Sequence, residues 1–182
     1  LSPLLFEGCR RTRRLTDFSH PLANEYNLPL MMAIVLLAGG GLRKSEIFHL
    51  YADDVRADGI RLYDPVRGRI SWRDRHTGGL REGQRVEYLA NQFGEVPRNR
   101  LRRGHAQHAG WKSMLMDYGE PHYYAVVQWI NGHFKALFHH LFGIYRDHVL
   151  PTGLDHPYLF ISMSHGEFGR PWTVGAFNDA FA

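Results

Sequence analysis

The residues best placed to do chemistry lie between Leu36 and Val55. Arg43, Glu46, Ile47 and Leu50 stand at i, i+3, i+4 and i+7, so on a helix they share one face. Ile47 and Leu50 favour burial, and Arg43 is expected to be drawn inward with them. An inward guanidinium needs a partner. If Glu46 supplies it, the pair is a structural pin for the helix. If an anionic ligand supplies it, Arg43 is a binding group, because a planar, permanently charged guanidinium grips phosphate through two parallel N–H groups. Lys44 and His49 lie off this stripe.

Several elements must position that stretch. Asn27 is suited to cap a helix with Pro29 in its first turn. This helix runs to about Ala38, is apolar all round and belongs in the centre of a core. Gly39, Gly40 and Gly41 end it, and the Arg43 helix follows to about Tyr51. Asp58-Gly59 marks a turn, Ile60 to Tyr63 reads as a short strand, and Arg69 to Trp72 suits its hairpin partner. From Arg73 to Arg103 no period is sustained, and loops are expected with one strand, Arg85 to Leu89. Trp111 to Met116 is a strand candidate with Lys112 near its start. A weak helix is expected from His122 to Ile130. Phe134, Leu137, Phe138, Leu141, Ile144 and Tyr145 form a helical stripe from about Gly132 to before Pro151. Tyr158 to Ile161 is a short apolar segment, Gly166 to Pro171 a turn, and Thr173 the cap of a last helix carrying Val174, Phe177 and Phe181.

The length of 182 residues suits one domain, or one domain with a tail, and 44% hydrophobic residues suffice for a sizeable core. Residues 1–19 read as a linker or arm of poor core character, with Arg10, Arg11, Arg13 and Arg14 clustered in it. The single cysteine, Cys9, excludes a disulfide framework and fits a reducing, cytoplasmic compartment. Neither a membrane-spanning run nor a signal peptide is found. The first residue is Leu1, and the C-terminal residues show neither a glycine stop nor a basic last turn, which reads as a piece of a longer protein. Charge is unevenly spread. Residues 61–105 hold eleven arginines, no lysine and five acids, whereas residues 1–60 are balanced and residues 106–182 are slightly acidic. Such a block suits a polyanion, with Arg73, Arg75, Arg81, Arg102 and Arg103, together with Lys44, as candidate backbone contacts. A solvated loop without a partner is the plainer alternative.

Two other chemistries are weaker. His105, His108, His139 and His140 could form half of a zinc site, but no cysteine partners or second matching pair accompany them. Gly39 to Gly41 are not followed by Gly-Lys-Ser/Thr and trail a helix, unlike a phosphate loop. No metal or cofactor is implied.

Gly41-Leu42-Arg43-Lys44-Ser45-Glu46-Ile47 with Leu50 resembles the first catalytic box of the tyrosine recombinases, the phage integrase family. The order of parts is similar over roughly residues 20–182. An apolar helix leads into the arginine box, then come a small sheet with a hairpin lysine, a long helix, Leu159-Phe160, a glycine turn and another helix. The resemblance implies an α+β, mostly helical, DNA breaking-rejoining catalytic domain with a small antiparallel sheet, in which residues 73–105 are an arginine-rich insertion. It implies Arg43 and Lys112 as catalytic residues with Glu46 orienting the arginine, double-stranded DNA as partner, and self-assembly on DNA by the intact protein. The family's His-x-x-Arg box and tyrosine nucleophile come after the last helix. No His-x-x-Arg occurs in this sequence, and Tyr118, Tyr123 and Tyr145 do not match the nucleophile's place. The chain is therefore expected to bind DNA without cleaving it. A non-catalytic DNA-binding module on the same scaffold is the main alternative, and a protein-interaction domain a third.

Overall fold

A computed structural model describes residues 2–11, 17–112 and 121–182. Among the described residues the chain is α+β, with seven α-helices and two small antiparallel sheets. It forms α1 (Ser2–Gly8), α2 (Pro21–Glu25), α3 (Leu28–Gly39), α4 (Lys44–Ile47), β1 (Arg61–Tyr63), β2 (Arg69–Arg73), β3 (Leu80–Gln84), α5 (Arg85–Phe93), β4 (Tyr124–Val126), α6 (Gly132–His148) and α7 (Val174–Phe181).

The core forms around α3. The Asn27 side chain accepts the Leu30 N–H at 3.2 Å, and Pro29 fits the first turn. An all-apolar helix has no face to offer water, and nine of its twelve residues are buried. Helix α6 packs on it through Phe138, Leu141, Phe142 and Tyr145. The three glycines serve different ends. A Cβ on Gly39 would run into Phe134 at the start of α6, one on Gly40 would meet Leu36 O, and Gly41 has φ +66°. They let the chain turn tightly beneath α6 and emerge at Arg43.

The C-terminal third closes the other side of the core. The Tyr145 hydroxyl donates to Leu159 O at 2.9 Å and accepts from Ile161 N at 3.2 Å. Leu159 N donates to Leu50 O, so this apolar segment lies beside the residues following α4. Thr173 caps α7 by accepting the Ala176 N–H, and Phe177 packs against Phe48 and Trp172.

Several sequence expectations are corrected. Strand β1 pairs antiparallel with β4, and β2 with β3, so Arg69 to Trp72 is not the partner of Ile60 to Tyr63. The Asp64 carboxylate accepts the N–H groups of Val66 and Arg67, turning the chain out, and Arg69 N then donates to His122 O. The edge of β1 is thereby left to the returning chain, and His122 to Ile130 holds strand β4 where a helix was expected. Asp74 makes a second such turn by accepting from His76 and Thr77, which folds β3 onto β2. Arg85 to Leu89 is helix. The Glu87 carboxylate accepts the Gln84 N–H at 2.7 Å, and Gly94 closes α5 at φ +68°. Residues 2–11 do not have poor core character, for Leu5 and Cys9 are buried and Asn27 N donates to Cys9 O. Trp111 and Lys112 have no regular secondary structure, and residues 113–116 of the expected strand lie outside the described residues, as do Arg13, Arg14 and Tyr118.

Candidate functional site

Arg43 does not lie within a helix. It is the N-cap of α4, in extended conformation (φ −77°, ψ 151°), and α4 itself is a single turn ending at Ile47. The inward turn expected of Arg43 is not seen. Its side chain is 55% exposed, and it is Glu46, at 3%, that is buried. The Glu46 carboxylate accepts the backbone N–H of Arg43 at 2.8 Å through Oε2, and Nη1 of the same residue at 2.7 Å through Oε1. One buried anion thus fixes both the backbone and one corner of the guanidinium. Nε and Nη2 of Arg43 have no hydrogen-bond partner among the described residues.

Arg43 is one of the residues lining a cleft of about 330 Å³. One wall is Gly40 to Arg43 with Glu46, and the other is Leu62 with Ala125 to Gln128. The sheet β1–β4 therefore faces the arginine turn, as positioning the arginine requires. Lys44, the neighbour expected to touch DNA, is exposed and donates to Asn178 Oδ1 at 2.9 Å, which links α4 to α7.

Lys112 is exposed but does not line the Arg43 cleft. The chain just before it is anchored beside α4. His49 Nε2 lies 3.3 Å from Gly110 O, and the Trp111 ring meets the His49 ring edge-on at 5.3 Å. Burial, assisted by the nearby Arg98 charge, pushes the His49 imidazole down to about 3, so it stands neutral, with the tautomer carrying its proton on Nε2 donating to Gly110.

No family model matches this chain, nor does any curated protein or solved structure.

The arginine block separates into distinct groups. Arg85 is fully buried, bonded to Asp54 at 2.9 Å and lying 3.4 Å over the Tyr51 ring. Arg98 is buried too. Its Nη1 donates to Phe48 O and Trp172 O, its Nη2 to Gln107, and its guanidinium covers Tyr158. Arg81 is paired with Asp74 at 2.7 Å, Arg73 donates to Gly78 O, and Arg75 donates to Leu154 O while covering Phe93. Arg102 and Arg103 are exposed, and among the described residues neither side chain has an ion pair or hydrogen bond. Of the arginines proposed to meet DNA, these two are the least engaged.

His105 and His108 bond to Gln107 N and Leu101 O, and among the described residues no group of three or more His, Cys, Asp or Glu is placed to hold a metal. Sequence reasoning missed the aromatic cluster of Tyr51, Trp72 and Tyr88 around α5. Its signal was the Gln84–Glu87 capping pair with Gly94, which defines the helix carrying Tyr88.

Proposed function

We propose that this domain binds the backbone of double-stranded DNA, with Arg43 holding a phosphate as the first arginine of a tyrosine-recombinase-like site. The observation that carries this reading is the division of labour between Glu46 and Arg43. A buried carboxylate holds the arginine's backbone and one Nη, while Arg43, its side chain half exposed, lines an open cleft. A merely structural pair has no need to hold its cation at a cleft.

The chemistry follows from the residue types. Metal-independent opening of a phosphodiester needs fixed positive charge on the non-bridging oxygens, an in-line nucleophile and a proton for the leaving 5′ oxygen. Arg43 supplies the first. Lys112 is assigned the third, brought to the cleft when DNA binds. Glu46 positions Arg43. The nucleophile and the second arginine are assigned to a longer chain carrying the His-x-x-Arg box and tyrosine, in which the tyrosine would hold the 3′ phosphate as an ester. A second reading, a non-catalytic DNA-binding module, is favoured by Lys112 standing outside the cleft lining.

Duplex binding by the chain as it stands tests the phosphate contact. Arg43→Ala should lower the slope of log affinity against log salt by about one while leaving much of the affinity. An unchanged slope removes the phosphate from Arg43. In a chain extended through the downstream boxes, the same substitution should abolish covalent protein–DNA adducts, and an undiminished adduct yield would leave only the binding module.

A further inference from the structure

The cleft that Arg43 lines has a closed floor and a polar rim. At the floor a Cβ on Gly40 would come within 2.9 Å of the Val127 side chain, so the walls meet there because Gly40 has none. Gly40, Leu62, Ala125 and Val127 are buried, whereas Arg43 on one wall and Gln128 on the other are exposed. The backbone on both sides of Gln128 is anchored. Val127 N donates to Ile60 O at 2.9 Å, and Ile130 N donates to Gly39 O at 2.8 Å. The second of these bonds ties the Gln128 wall to the glycine turn that leads into Arg43. The rest of the lining is glycine and aliphatic, apart from Glu46, which is buried and bonded to Arg43. Arg43 and Gln128 are therefore the polar side chains with which this cleft can meet a ligand. Among the described residues the Gln128 side chain makes one hydrogen bond, from Nε2 to Val126 O, and at 3.3 Å it is long enough to be readily exchanged.

We propose, resting on the phosphate reading of Arg43, that Gln128 is a second contact of the same phosphate and donates to it from the opposite wall through its amide. The non-bridging oxygens of a phosphodiester are acceptors only, and the amide N–H groups and the guanidinium are both donors. Polar side chains are confined to the rim, so both meet the nucleic-acid backbone that passes over it, and the aliphatic floor has no side chain with which to read a base edge. A guanidinium grips phosphate in one plane. A donor on the facing wall restricts the remaining freedom, which is what in-line attack on phosphorus requires. Because this second donor is uncharged, it adds affinity without displacing a counterion. Its signature in binding is therefore separable from that of Arg43.

Duplex binding, measured over a range of salt concentrations for the unmodified protein, Gln128→Ala, Gln128→Glu, Arg43→Ala and the double alanine variant, tests the assignment. Gln128 is exposed, so truncating it leaves the core intact. Gln128→Ala should weaken binding about tenfold, as expected for one hydrogen bond to a charged acceptor, with the salt slope unchanged. With Arg43 already replaced, the same truncation should have a clearly smaller effect, because the phosphate is no longer held within reach of the amide. Gln128→Glu should bind more weakly than Gln128→Ala, since its carboxylate repels the phosphate. The inference is overturned if Gln128→Ala keeps full affinity, if its loss is equally large with and without Arg43, or if Gln128→Glu binds as well as the unmodified protein. The two assignments fail separately. An Arg43→Ala salt slope equal to that of the unmodified protein removes the phosphate itself. A lowered Arg43→Ala slope beside an undiminished Gln128→Ala affinity removes Gln128 alone.

Discussion

Burying Glu46 while leaving Arg43 half exposed gives the two side chains unequal energetic weight. Solvent screens the guanidinium, so the ion pair itself contributes little. The bond from the Arg43 backbone N–H to a buried charged acceptor is of the stronger kind, about 1.5–3 kcal/mol. Stability therefore resides in Glu46 and the turn, and the outer part of Arg43 is left for a ligand. His49 adds a pH dependence three residues further on. Its ring is neutral in the fold with a pKa of about 3, against an ordinary value of 6.5. Unfolded chains thus bind a proton that folded ones do not, and the contribution of His49, fully present above about pH 6.5, is lost as pH falls toward 3. The slope from this one group approaches about 1.4 kcal/mol per pH unit. Thermal unfolding from pH 7 to pH 4 should show His49→Gln losing stability less steeply than the unmodified protein. Parallel curves for the two would mean that the buried imidazole is not the acid-sensitive group.

At the scale of elements, the joint between α3 and α6 gives a sharp test. In a helix, alanine outranks glycine by about 1 kcal/mol, so propensity favours Gly39→Ala. Packing opposes it, since the added methyl meets both Cβ and ring carbons of Phe134, and rotating the ring alone cannot clear it. Overpacking costs about 1–3 kcal/mol, so the substitution should lower the denaturant midpoint, and a raised midpoint would show that the helices can part cheaply. The legible parts of the fold were those with a local cause. Asn27, Pro29, Gly39 to Gly41, Thr173 and the α6 stripe announced their elements because caps, breakers and periodicity act within a few residues. Strand partnership was not legible. Which edge β1 offers depends on the turns at Asp64 and Asp74 and on a chain returning sixty residues later. Helix α5 could have been read from Gln84, Glu87 and Gly94, but with no sustained period in the glycine-rich stretch Arg85 to Leu89 read as a strand. At the site, Arg43 and Glu46 were legible as a pair, but Arg43 is exposed where burial was expected. Helical spacing presumed that the helix had already begun at Arg43, whereas the residue caps it.

For the molecule as a whole, the positive block is less a surface than its composition implies. Arg85 and Arg98 are interior, and Arg61, Arg67, Arg69 and Arg81 face carboxylates. Only the unmatched exposed arginines can release counterions from DNA. Replacing Arg102 and Arg103 together by alanine should flatten the salt dependence of duplex binding by about two, while replacing paired Arg81 should change it little. Equal effects from both would mean that the ion pairs open on DNA. Arg98 has a different consequence. Reaching from the segment taken as an insertion, its guanidinium ties the carbonyl of Phe48, just past α4, to that of Trp172, just before α7. A decoration added to a scaffold can be trimmed away again. This one has become a fastener between two distant stretches of the chain, so excising residues 73–105 would not return a smaller version of the domain but would release the very turn that carries Arg43.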